Sequence, residues 1–210
     1  MAMTLDRDWI SQRLSHAATS RERGDHDLNP GFRPTAPLRS AAVLVGLVEH
    51  GDGLTVLLTR RTDHLEHHPG QVSFPGGHIE EHDRNAVAAA LRETEEEVGL
   101  PATHIDVIGR LDTYVTRTGF AVTPIVAMIE PPFELTLDPH EVAEVFEVPL
   151  AYLMDPTNHQ RHEREFEGAR RIFYAMPYGE HFIWGATAGM IMDLYRTLAR
   201  SPTIDEMGAT

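Results

Sequence analysis

Glu93, Glu96 and Glu97 stand in the run Arg92-Glu93-Thr94-Glu95-Glu96-Glu97-Val98-Gly99-Leu100, and their spacing is the feature of this chain best suited to chemistry. At roughly 100° per residue, spacings of three and four place these carboxylates on one helix face, with Glu95 pointing away. Like charges so placed cost an isolated helix roughly 0.2–0.5 kcal/mol per pair. No Lys or Arg follows them until Arg110, whereas a solvated acidic face usually interleaves cations four residues downstream. A divalent cation is the natural compensator. Hard Mg²⁺ or Mn²⁺ prefers oxygen ligands and retains waters, so two or three carboxylates plus substrate oxygens make a suitable shell.

Such a site needs a fixed support. Val87, Leu91, Thr94 and Val98 recur at helical spacing as a mainly apolar stripe that can anchor the opposite face in a core. Before the helix, Val72-Ser73-Phe74 reads as a short strand, and Pro75-Gly76-Gly77 ends it in a turn where backbone can approach a ligand closely. Asp83 is the expected helix N-cap.

With strand, Gly-Gly turn and helix in this order, the chain resembles the Nudix hydrolase family, whose members cleave nucleoside diphosphates linked to another group. Gly77, Arg92, Glu93, Glu96, Glu97, Gly99 and Leu100 match the family box. Asp83 stands at its first Glu and Thr94 at an apolar position, and the gap from Asp83 to Arg92 is one residue longer than the general pattern. That longer gap resembles the branch that hydrolyses coenzyme A. The stretch Leu57-Leu58-Thr59, Arg61, Gly70 and Phe74-Pro75-Gly76-Gly77 is similar to that branch's upstream extension, from which Thr62 and Glu66 depart. An anion at Glu66, where the pattern has Arg, opposes a polyphosphate by Coulomb repulsion. Segments 122–126, 141–150 and 184–188 continue the likeness.

The resemblance implies an α/β/α sandwich with a mixed sheet, arranged as an N-terminal helix and loop extension (1–37), a Nudix domain (38–200) and a tail (201–210). It implies Glu93, Glu96 and Glu97 as ligands of Mg²⁺ or Mn²⁺, and Glu93, Glu96, Arg92 and Glu141 as the catalytic set. Glu93 serves as ligand or base, Arg92 holds a carboxylate in place, and Glu141 reaches in from a loop. Arg61, His68, Gln71, Gly76 and Gly77 are the implied substrate contacts. The leading activity is in-line attack of water on coenzyme A or an acyl-coenzyme A, giving 3′,5′-ADP and a phosphopantetheine product. Pyrophosphatase action on ADP-ribose, NADH or a nucleoside triphosphate, and a non-catalytic nucleotide-binding module, are the alternatives.

Composition narrows the field. The 210 residues, 41% of them hydrophobic, suffice for one sizeable core. The formal net charge is −14, and every basic side chain except histidine is Arg. An acidic protein acting on a polyanion must rely on local cations rather than a general field, and the balance argues against a nucleic-acid surface. Absence of lysine removes Schiff-base and Walker-lysine chemistry. Absence of cysteine removes disulfides, thiol catalysis and Cys-containing zinc sites. Met1 to Ile10 carries Asp6, Arg7 and Asp8 and lacks a signal peptide's apolar centre. The expectation is a cytoplasmic enzyme with a small nucleotide substrate, without membrane or nucleic-acid partner, and compatible with a homodimer.

The remaining elements follow from pattern. Leu5, Trp9, Ile10 and Leu14 suggest an amphipathic helix, and Arg21 to Pro37 a loop. Residues 41–49 and 54–60 flank Gly51-Asp52-Gly53 as a hairpin. Strands are expected at 105–111, 122–129 and 144–148, a brief helix after Pro149, a pairing of 171–175 with 181–184, and a last helix over 186–198. Arg60 and Arg61 must face opposite sides of their strand, so at most one grips phosphate. His64, His67 and His68 resemble a zinc cluster in composition only and fit a solvated loop. Trp184 is assigned to the core, His159 and His162 to the surface.

Overall fold

A computed structural model of the chain describes residues 5–16, 22–31, 33–65, 67–166 and 168–199. Glu66, and with it the expected Coulomb penalty on the substrate, lies outside the described residues, as does the tail 201–210.

In chain order the elements are α1 (Arg7–His16), β1 (Arg23–Gly24), β2 (Arg39–His50), β3 (Gly53–Arg61), β4 (Val72–Ser73), β5 (Gly76–His78) and α2 (Ala86–Val98). There follow β6 (Ile105–Arg110), β7 (Tyr114–Val115), β8 (Phe120–Ile129), β9 (Val142–Pro149) and α3 (Leu150–Met154). The chain then runs through β10 (Gln160–Phe166), β11 (Ala169–Tyr178), β12 (His181–Trp184) and α4 (Gly185–Ala199).

Strand β2 organises the nine-stranded mixed sheet. It pairs in parallel with β8 along its length, from Arg39 opposite Phe120 to Val48 opposite Ile129. Its other edge is shared: residues 47–50 pair with β3 and residues 41–43 with β5. A strand buried on both faces must be apolar, and β2 is so from Ala41 to Val48, with polar residues only at its exposed ends. Ala42, Leu44 and Val48 face α2 with Ile125, Ala127 and Ile129 of β8. Ala41, Val45 and Leu47 face the opposite way, against a cluster that takes in Ile10 and Leu14 of α1, Leu150 and Leu153 of α3, and Ile191 and Leu194 of α4. Helices on both faces of a mixed sheet make the α/β/α sandwich that the sequence leads one to expect. No helix among the described residues is long and apolar enough to cross a membrane.

Local capping departs from the sequence reading. The N-cap of α2 is Asn85, in extended backbone, whose side chain accepts the Ala88 N–H. Asp83 lies too far upstream to cap and instead accepts the Glu80 N–H. Gly99 ends the helix at φ 69°, in the left-handed region where glycine alone is unstrained, with its N–H on the Glu95 carbonyl. Thr94, at an otherwise apolar position, is fully buried, and its hydroxyl donates to the Ala90 carbonyl at 2.7 Å, so no polar group is left unsatisfied.

Two further departures lie outside the central sheet. The segment read as loop over 21–37 contributes β1, which pairs in parallel with β7, and a short 3₁₀ turn over Asp25–Asp27. The expected pairing of β11 with β12 is present, but β10 adds a strand, giving a three-stranded antiparallel sheet. The run Gln160-Arg161-His162-Glu163-Arg164-Glu165 alternates too few apolar residues to read as a strand, so only its tertiary partner β11 reveals it.

Candidate active site

The shared edge of β2 creates the site. Where β3 and β5 part, the C-terminal half of α2 lies across the opening, so Glu97 meets a strand on each side. Its Oε2 accepts the Gly76 N–H at 3.1 Å, and its Oε1 lies 3.9 Å from the guanidinium of Arg61 at the end of β3. Gly76 must be glycine: at φ 147°, an added Cβ would stand 2.4 Å from the Ala42 carbonyl oxygen. Gly77 is constrained by the catalytic side itself, since a Cβ there would sit 2.6 Å from the carboxyl carbon of Glu93.

The three carboxylates are not equivalent, which refines the expectation that all project from the helix. Glu97 is buried, with 5% of its surface exposed, whereas the Glu96 side chain is 60% exposed and that of Glu93 17%. Burial pushes the Glu97 carboxyl up to about 8, opposed by the Gly76 N–H and Arg61 and reinforced by Glu141 and Glu93. Burial likewise raises Glu93, against the pull of Arg92.

The cation missing downstream is found upstream. One Arg92 nitrogen bonds Glu93 at 2.9 Å and Glu96 at 2.8 Å, while the other bonds Asp83 at 2.9 Å and the His78 carbonyl at 3.0 Å. Hydrogen bonding to Arg92 holds the Asp83 carboxyl down at about 2, and the same contact raises the Arg92 guanidinium. Asp83 thus anchors the arginine rather than the helix end, and Arg92 positions carboxylates.

Glu141 comes from a distant loop. The Thr62 N–H donates to the Glu141 carbonyl at 3.0 Å and the Thr62 hydroxyl to the His140 carbonyl at 2.8 Å. Thr62 is one of the departures from the upstream pattern, and these bonds give it a structural role. The Glu141 charge lies close enough to raise both Glu93 and Glu97.

As placed, no three acidic or imidazole side chains among the described residues converge on one point. The donor set nevertheless fits a divalent cation. Glu93, Glu97 and Glu141 are hard oxygen donors that repel one another, Glu96 adds another on the same helix, and water supplies much of a Mg²⁺ shell.

Of the expected substrate contacts, Arg61, Gly76 and Gly77 lie against these carboxylates. His68 and Gln71 instead line a separate cavity of about 330 Å³. The two places are joined by the Arg61 N–H, which donates to the Gln71 carbonyl at 2.9 Å. Arg60 and Arg61 do diverge, with Arg60 turning to Glu144 at 3.3 Å. His64 and His67 are exposed.

The cavity holds what sequence reasoning missed. Trp184, assigned to the core, is half-buried and lines it with Phe173, Tyr174, Arg164 and Arg171. His159 is half-buried, its Nε2 2.7 Å from the Leu153 carbonyl and its ring against Tyr195. His162 is half-buried too, and stacks on Phe173. The available signal was the arginine-rich run from Arg161 to Arg171 in an otherwise acidic chain.

Strand divergence, a glycine turn under a carboxylate and an arginine-tied helix are the frame of a diphosphate hydrolase, and residues 37–178 match the family model described as the NUDIX domain. The chain belongs to the Nudix family and is a hydrolase of pyrophosphate-containing substrates, and enzymes of this family generally use divalent metal ions. A relative from Escherichia coli (strain K12 / DH10B), named "Uncharacterized Nudix hydrolase NudL", is 40% identical over 171 residues, 81% of this chain and 88% of its own. Its namesake from Enterobacter sp. (strain 638) is 38% identical over 164 residues, covering 78% of this chain and 85% of that one. Among solved structures, the Nudix hydrolase RenU from M. smegmatis shares the fold at a TM-score of 0.51 and 20% identity, covering 80% of this chain and 91% of RenU.

Proposed function

We propose that the chain is a cytoplasmic coenzyme A pyrophosphatase, hydrolysing coenzyme A or its thioesters to 3′,5′-ADP and the corresponding phosphopantetheine with Mg²⁺ or Mn²⁺. The observation that supports this reading is the position of the coenzyme A-like stretch. Arg61 ends 3.9 Å from Glu97, and its N–H is held by Gln71 on the cavity side. The segment that resembles the substrate-selecting extension therefore lies between the carboxylates and the cavity.

Glu93, Glu96 and Glu97 hold the metal in this reading, and Arg92 fixes Glu93 and Glu96 in position. The bound ion supplies charge neutralisation on the diphosphate and a lowered pKa for the attacking water. Water adds to one phosphorus in line with the bridging oxygen, the bond to that oxygen breaks, and the pair stays with the leaving phosphate. The proton of the water goes to a carboxylate, for which Glu141 and Glu93 are the candidate bases. Arg61 meets a phosphate oxygen, offsetting the anionic character of the protein.

The test is a product analysis. Purified protein is incubated with coenzyme A, an acyl-coenzyme A, ADP-ribose, NADH and nucleoside triphosphates, with and without divalent metal, and products are identified by mass. Metal-dependent release of 3′,5′-ADP supports the proposal. Rapid cleavage of ADP-ribose with coenzyme A untouched replaces it. Comparison of Glu141→Gln with Glu93→Gln across pH identifies the base, because only loss of the base removes the acidic limb of the kcat profile.

A further inference from the structure

Glu141 reaches the carboxylate site from the segment between β8 and β9, which has no helix or strand of its own. In its sequence Phe133-Glu134-Leu135-Thr136-Leu137, apolar and polar residues alternate, so an extended chain turns one side inward. Phe133, Leu135 and Leu137 accordingly pack on the apolar cluster that α2 shares with β2 and β8. The backbone of the same segment closes the end of the helix. The Thr136 N–H donates to the Val98 carbonyl and the Asp138 N–H to the Glu97 carbonyl, each at 2.9 Å. A helix end leaves such carbonyls without an internal partner.

Asp138-Pro139-His140-Glu141 then turns the chain back. Asp suits the first position of a turn, and Pro presets the second. The Glu141 N–H returns to the Asp138 carbonyl at 3.2 Å and the Val142 N–H to the same oxygen at 2.9 Å. The Asp138 carboxylate accepts the His140 N–H at 2.8 Å. Strand β3 holds the other side. After the pair Arg60 and Glu144 the register with β9 slips, so that Arg61 pairs with Val142 and Ala143 is the extra residue of a β-bulge. The slip sets Glu141, instead of Val142, beside Thr62. The buried Thr62 gives its N–H to the Glu141 carbonyl at 3.0 Å and its hydroxyl to the His140 carbonyl at 2.8 Å. The exposed Glu141 side chain thus rides on backbone fixed from both sides, by the carbonyl of Glu97 itself and by the neighbour of Arg61.

We infer that Thr62 and Asp138 are positioning residues that hold Glu141 in register with Glu97 and Arg61, making it a preorganised member of the reacting centre. The inference rests on the reading of Glu141 as a participant in diphosphate hydrolysis. It gives the Thr62 hydroxyl and the Asp138 carboxylate a catalytic consequence exerted through Glu141.

The test compares Thr62→Val, which keeps the shape and removes the hydroxyl, with Thr62→Ser, which keeps the hydroxyl, and Asp138→Ala with Asp138→Asn. Rates are measured with divalent metal on coenzyme A or, should product analysis select another nucleotide, on that one. Val and Ala should lower kcat about tenfold with KM within about twofold, and Ser and Asn should restore most of it. Glu141→Gln should lower kcat about a hundredfold, and in that background Thr62→Val should change it less than about twofold, because residues acting through one group are not additive. Amide hydrogen exchange reads the strap without turnover: segment 136–142 should exchange about tenfold faster in Thr62→Val and Asp138→Ala than in the wild type or Thr62→Ser. Thermal melts check folding, and Asp138→Ala carries the test should Thr62→Val unfold. Full kcat in both Val and Ala variants, or a loss that persists undiminished beside Glu141→Gln, overturns the inference and leaves the proposed function standing. Full activity of Glu141→Gln overturns it too and assigns the proton to Glu93. The expected pattern on a nucleotide other than coenzyme A upholds the inference and replaces the proposed substrate.

Discussion

The carboxylate site and the arginine-lined cavity meet at the bond between Arg61 and Gln71, yet they are assembled in opposite ways. Glu93, Glu96, Glu97, Arg92 and the Gly76-Gly77 turn fall within a span of 22 residues, from Gly76 to Glu97, and one helix with one tight turn places nearly all of them. The cavity draws on the N-terminal segment, the loop before β4, β7, the added three-stranded sheet and α4. One region gathers anions that repel, the other aligns cations that repel. The carboxylate cluster therefore depends mainly on local structure, with Arg61 and Glu141 added from elsewhere in the chain, while the cavity depends on several tertiary contacts holding together.

That contrast can be broken first on the carboxylate side, where the largest effect is expected. Glu97→Gln keeps an acceptor for the Gly76 N–H and the shape of the buried side chain, so it should fold. Turnover should drop about a hundred- to a thousandfold, as when a key electrostatic group is lost. Metal-dependent product release together with a wild-type far-UV spectrum measures both, and nearly normal activity would sink the assignment. Gly77→Ala is the next largest. Its methyl would stand 2.6 Å from the Glu93 carboxyl carbon, displacing that carboxylate, and a misplacement near 1 Å costs about a hundredfold in kcat.

The cavity side should respond more in stability than in chemistry. Asn29 donates to the Ile172 carbonyl and accepts the Ile172 N–H, each at 2.9 Å, and so ties the N-terminal segment to β11. Asn29→Ala should lower unfolding free energy by about 1–3 kcal/mol, for the loss of these two bonds and of a third to the Asp25 carbonyl. Denaturant titration reads it, and an unchanged midpoint would show the tie to be dispensable.

Asp193 offers the smallest and most conditional test. It bonds Arg196, which also lines the cavity, and faces Arg23 at 3.7 Å. Burial nevertheless raises its carboxyl from 3.8 to about 6, against the pull of Arg23 and Arg196 and with Asp27 adding to the rise. Between these values the folded state holds a proton that the unfolded state has released. Stability from this group is full below pH 3.8 and is lost as pH rises through about 6. The change is at most about 3 kcal/mol on a scale of 1.36 per pKa unit. Asp193→Asn should make the stability profile less downward between those pH values, and a profile parallel to the wild type would count against the shift.

The two regions also differ in how far the amino-acid sequence discloses them. Helix α2, its carboxylates and the apolar runs of β2 and β8 were legible because local pattern and burial agree. The role of Arg92 was legible in kind but not in reach, since Asp83 and the His78 carbonyl join it only after the turn folds back. The N-cap was misplaced because Asp83 and Asn85 are both good capping residues, and only backbone geometry chooses between them. Strand β10 was not legible at all, because its polar, charged residues acquire strand geometry from pairing with β11. Trp184 was misassigned for a related reason: its partial exposure comes from a cavity that the N-terminal segment, β11 and α4 line together.

The shared edge of β2 has an evolutionary corollary. Residues 62–75 form an excursion whose two flanks, β3 and β5, are stitched to the same strand. The exposed residues 67–69 can be recoded while Arg61, paired with Val142 of β9, and Gly76, paired with Val43 of β2, stay in place. On the proposed function, a lineage can thus alter that segment without moving the carboxylates on α2.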